Sequence, residues 1–120
     1  MIPRYDKKEM SALWTEDYKF TCFLKTELAL MKAWETKELI PKGSTEKVED
    51  TLKINVDRIN EIEAETKHDV IAFCTSITEQ MPPDLSKFFH FGVTSSDIID
   101  TALSLQIKES LNLVIPALKD

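Results

Sequence analysis

Apolar side chains recur at helical spacing through most of this chain. Between Thr15 and about Leu39, the residues Phe20, Leu24, Leu28 and Met31, with Phe23, Leu30 and Trp34 beside them, predict a long core helix with a wide buried face. Glu16 and Asp17 suit its start, and Pro41-Lys42-Gly43 is the expected stop. A shorter helix is expected from Ser44. From Val48 to Glu65 the apolar positions thin to Val48, Leu52, Ile54, Val56, Ile59 and Ile62, which predicts one or two exposed helices with a narrow apolar stripe.

The next helix is expected to begin near His68. Thr66-Lys67-His68-Asp69 has the form of a capping box, and Val70, Phe73, Cys74, Ile77 and Met81 follow on one face. Pro82-Pro83-Asp84 ends that pattern, and Ser86 to Val93 reads as an aromatic connector closing on Gly92. A second capping box, Thr94-Ser95-Ser96-Asp97, opens the longest helix, carrying Ile98, Ile99, Ala102, Leu103, Ile107, Leu111, Val114 and Leu118. Its end, Leu111 to Leu118, is apolar nearly all round and needs cover on every side, so the expectation is a truncated chain or a helix completed by other subunits. Pro116, which lacks a backbone donor, is expected to kink it.

Composition narrows the class. The chain has 120 residues, 42% hydrophobic and 30% charged, with 2 Gly, which favours one mostly helical domain of the all-α class. A net charge of -6 repels nucleic-acid phosphates and anionic lipid, so neither is expected as a partner. Cys22 and Cys74 lack C-x-x-C spacing and lie in apolar helical patterns, as small buried hydrophobes do, which fits a reduced, cytoplasmic compartment. No apolar leader segment or membrane span is apparent.

Candidate chemistry is sparse. The two histidines, His68 and His90, each sit beside a helix start, their spacing offers no ligand pattern, and no metal is expected. Each also suits a purely structural hydrogen-bonding role. The run Gly92 to Asp97 leads from a glycine loop into a helix N-terminus, whose free N–H groups and hydroxyls can hold a phosphate or carboxylate. Thr94 equally serves as a plain cap. Arg4 is suited to bidentate phosphate recognition, though a solvated surface arginine is the commoner case.

Taken in order, PRY at 3–5, EMSALW at 9–14, KHDVIAF at 67–73 and HFGVTSSDIIDTALSLQIKE at 90–109 form a collinear set. Together they closely resemble the N-terminal domain of the adenylosuccinate lyase family, within the fumarase/aspartase superfamily. The resemblance implies an N-terminal helical domain over 1–110, with 111–120 as the truncated start of a central helical bundle. It also implies β-elimination of fumarate from adenylosuccinate, giving AMP, and from SAICAR, giving AICAR, with no cofactor, in a homotetramer. Arg4 and Tyr5 would contact the nucleotide phosphate, while Lys67, His68, Asp69, Thr94 and Ser95 would line the substrate site. The family often has Arg where this chain has Lys67, which keeps the charge but loses the planar fork.

The chemistry fits these residue types. A substrate with a phosphate and two carboxylates needs donors at several places, and the elimination needs a base at Cβ and an acid at the departing nitrogen. The helix dipole biases His68 toward neutral imidazole and Asp69 opposes that bias, so His68 is assigned substrate orientation and a supporting acid/base role. Thr94 and Ser95 are expected to donate to a substrate carboxylate, and His90 is expected to support the residues that touch the substrate. The family's principal acid histidine and mobile serine loop have no counterpart here, so this chain alone is expected to be inactive. Two other readings stay open. One is another superfamily lyase such as argininosuccinate lyase, fumarase or aspartase, against which PRY and KHD argue; the other is a helical interaction module that docks through its apolar last helix.

Overall fold

The computed structural model describes residues 2–120. Their regular structure is entirely helical, as expected: a 3-10 turn at Pro3–Tyr5, then α1 (Lys8–Ala12), α2 (Glu16–Thr36), α3 (Val56–Thr66), α4 (Asp69–Thr78), α5 (Pro83–Ser86) and α6 (Ser95–Lys119). In α2, the Thr15 hydroxyl accepts the Tyr18 N–H at 3.1 Å, and Glu16 and Asp17 occupy the dipole-favoured first turn. The helix stops earlier than the Pro-Lys-Gly signal suggests. Glu38 turns left-handed (φ 59°) and the Leu39 N–H returns to the Trp34 carbonyl at 3.0 Å, a Schellman closure that satisfies the last carbonyls before Pro41 is reached.

The helix expected from Ser44 is absent. Hydrogen-bonded turns run from Lys42 to Thr51, organised by the buried carboxylate of Glu35, which accepts the Thr45 N–H at 2.6 Å, the Thr45 hydroxyl and the Gly43 N–H at 3.2 Å. Donors that would open a helix are captured by this side chain instead. Val48, within these turns, and Leu52, just after them, are buried, so this part of the sparse stripe belongs to the core, and only α3 forms as a helix from the segment.

The core is built around phenylalanines. Phe20 of α2 stacks on Phe73 of α4 at 5.8 Å between ring centroids, and Phe23 meets both rings edge-on at 5.5 and 5.4 Å. α2 packs against α6 and α3, and α3 against α4. Pro83, at a first helical position, starts the short α5, and the connector after it returns Phe89 to the core, 6.2 Å from Phe73.

α6 runs for 25 residues, with Ile98, Ala102 and Gln106 buried. Gln106 Nε2 donates to the Leu13 carbonyl at 2.8 Å and Trp14 Nε1 to Ser110 Oγ at 3.1 Å, which ties the N-terminal segment to it. Beyond that point every residue from 111 to 120 is exposed. Pro116 lies inside the helix, which continues to Lys119. Leu103, Ile107, Leu111, Val114 and Leu118 form an uncovered apolar stripe at helical spacing.

Candidate functional site

The junction between α3 and α4 fixes His68. Lys67 closes α3 in the left-handed region (φ 55°), donating its N–H to the Glu63 carbonyl at 2.8 Å. Thr66 is the last residue of α3, so the expected Thr66 to Asp69 capping box does not form. His68 itself is the N-cap, and its Nδ1 accepts the Ile71 N–H at 3.2 Å. An accepting Nδ1 carries no proton, so the ring proton sits on Nε2, which is free to donate outward.

At the start of α6, the Asp97 carboxylate accepts the Thr94 N–H at 2.9 Å, the expected return arm of the second capping box. The preceding connector is anchored by Trp34, whose Nε1 donates to the Phe91 carbonyl at 2.9 Å. These two helix starts face one cleft of about 350 Å³, walled by His68, Val70, Ile71, Cys74, Thr75, Thr78, His90, Val93, Thr94 and Ser95. The sequence-derived residues His68, Thr94 and Ser95 are therefore brought together from positions far apart in the chain. Lys67 and Asp69 flank His68 without lining the cleft, and Lys67 borders a separate shallow depression with Asn60 and Glu63. Arg4 and Tyr5 also lie outside it, the guanidinium resting 4.9 Å above the exposed Tyr5 ring.

One group was not visible in the sequence. Glu27, on α2 among core aromatics, is fully buried behind the cleft, and its Oε1 lies 2.6 Å from His90 Nδ1. The Cys74 thiol approaches the same oxygen at 3.9 Å, while Oε2 has no hydrogen-bond partner among the described residues. Burial pushes the Glu27 carboxyl above its ordinary range, against the lowering effect of its bonds from His90 and Cys74. Burial also pushes the Cys74 thiol far up, reinforced by Glu27. The only sequence-level clue was a charged residue on the apolar face of a core helix.

Glu27, Cys74 and His90 offer three ligand atoms within 4.8 Å of one another, a cluster that linear spacing did not anticipate. Its chemistry is that of a hydrogen-bonded group. Two ligands on one zinc at about 2.0 Å stand roughly 3.3 Å apart, wider than the carboxylate–imidazole contact here, and a thiol must lose its proton to ligate, which burial opposes.

No family model matches the chain. The fold matches that of a fumarate lyase from a Mesorhizobium species, whose crystal structure superposes with a TM-score of 0.81 at 22% identity, covering 90% of this chain and 26% of that one. Over all 120 residues the chain is 42% identical to the adenylosuccinate lyase of Thermotoga maritima and 43% identical to that of Helicobacter pylori. The chain is thus similar to adenylosuccinate lyases from end to end, and it spans 28% and 27% of the length of these two relatives. No helix among the described residues is long and apolar enough to cross a membrane.

Proposed function

We propose that this chain supplies one wall of the substrate site of an adenylosuccinate lyase, which eliminates fumarate from adenylosuccinate to give AMP and from SAICAR to give AICAR. The observation that carries the reading is the convergence of His68, Thr94 and Ser95 on one cleft in a chain similar throughout to adenylosuccinate lyases. In the reaction a base takes the Cβ proton, the C–N bond breaks, and an acid protonates the departing nitrogen. Thr94, Ser95 and the α6 N-terminus hold a substrate carboxylate, toward which charge develops. His68 orients the substrate through Nε2–H and assists proton transfer. Lys67 and Asp69 support that end of the site. Arg4 and Tyr5 hold the nucleotide phosphate from outside this cleft, with the remaining catalytic groups coming from other parts of a homotetramer. The uncovered apolar stripe of α6 supports such an assembly. The protein acts in the cytoplasm without a cofactor, and this chain alone is inactive.

The test is a chimera in which this chain replaces the matching segment of the Thermotoga maritima lyase, assayed for fumarate release from adenylosuccinate. Activity that falls about 10²-fold with His68→Asn supports the proposal, because Asn preserves the N-cap while removing the imidazole. A folded, helical chimera with no activity overturns it and favours the interaction-module reading.

A further inference from the structure

The Glu27–His90 pair is placed as a device, since its two members come from α2 and from the connector before α6, 63 residues apart, and meet at 2.6 Å. His90 is held there in the left-handed region (φ 57°), a conformation a non-glycine residue keeps only when its surroundings enforce it. The imidazole lines the cleft, whereas Glu27 lies behind it. With Nδ1 turned inward to the carboxylate, the ring edge presented to the cleft is the one bearing Nε2.

Proton counting then decides what that edge offers. Glu27 is fully buried, its Oε2 is unpartnered, and its only hydrogen-bonding neighbours among the described residues are His90 and Cys74. A bare carboxylate beside a neutral imidazole protonated only at Nδ1 leaves a net negative charge in the interior, which is costly. A pair carrying one further proton is neutral overall. It can be drawn as carboxylate with imidazolium, or as carboxylic acid donating to Nδ1, and in both forms Nε2 bears a hydrogen.

We propose that Glu27 is a positioning residue that holds His90 with a proton on Nε2, so that this N–H donates to an anionic oxygen of the ligand in the cleft, alongside His68 Nε2–H and the α6 N-terminus. The ligand class is a phosphate or carboxylate. The inference rests on the lyase reading only for what that ligand is.

The experiment is nitrogen-15 NMR of the histidine rings in the 120-residue chain, followed by titration with inorganic phosphate. At neutral pH the His90 signals are expected to report a protonated Nε2, and to shift on phosphate addition. In Glu27→Gln the phosphate dissociation constant is expected to rise about tenfold, the scale of one charge-assisted hydrogen bond. The sign is diagnostic, because removing a negative charge near an anion site would by simple electrostatics tighten binding. Unchanged or tighter phosphate binding in a folded Glu27→Gln overturns the proposal. So does a bare Nε2 in the wild-type chain, or the absence of any phosphate response at His90; the wild-type spectra decide even where the variant does not fold. Since no turnover is measured, failure here is separate from failure of the lyase chimera.

Discussion

The indole of Trp34 lies 3.3 Å from the point where a Cβ on Gly92 would stand, and it donates to the carbonyl of the residue before that glycine. Gly92 has φ +73°, so backbone conformation and space both require glycine. The contact joins α2 to the turn that aims Thr94 and Ser95 at the cleft. Gly92→Ala is expected to cost about 1–3 kcal/mol, measured as a lowered urea midpoint at unchanged m-value. Gly43, also at positive φ but with open space around it, is expected to lose less on the same substitution.

Glu35 links α2 to the turns that replace a helix. Burial raises its pKa, but the Thr45 hydroxyl, the Thr45 and Gly43 N–H groups and Lys32 outweigh this and hold it at about 2, against an ordinary 4.5. A depressed carboxylate pKa contributes stability that is present above pH 4.5 and lost as pH falls toward 2. Thermal melts are therefore expected to show a loss across that window which Glu35→Gln flattens. At neutral pH, Glu35→Gln should cost about 1–3 kcal/mol, since the buried donors of Thr45 lose their charged acceptor.

Both thiols should be poor nucleophiles while the chain is folded. Burial raises the pKa of Cys74, with Glu27 adding to it, and burial likewise raises that of Cys22. Alkylation by iodoacetamide at pH 8, followed by mass spectrometry, is expected to be at least about 10-fold slower than in urea for both. Rapid modification of Cys74 in the folded chain would contradict its place against Glu27.

The α6 stripe should drive association. Ile107 and Val114 are each more than a third exposed on a helix face that nothing covers. Sedimentation of the chain is expected to show concentration-dependent self-association, and Ile107→Lys with Val114→Lys to weaken it by at least about 10-fold, given roughly 1.5–3 kcal/mol per apolar side chain buried. A chain that stays monomeric at high concentration would count against the proposed tetramer.

Much of the fold was legible locally. The two long helices, the start near His68 and the Asp97 arm at α6 follow from apolar spacing and cap chemistry, which act within a few residues and so leave a mark in the linear pattern. His68, Thr94 and Ser95 were visible for the same reason, as residues at helix starts, within collinear motifs that resemble those of one family. The turns from Lys42 to Thr51 were not legible, because a carboxylate on another helix takes their donors. The cap at His68 was misplaced by two positions, since Lys67 turns left-handed to end one helix before the next begins. Local sequence alone determined which segments are helices and which residues begin them. Only the tertiary structure decided that Glu27, Cys74 and His90 meet behind the cleft, because a contact across 63 residues comes from packing α2 against the connector, and no spacing along the chain encodes that distance.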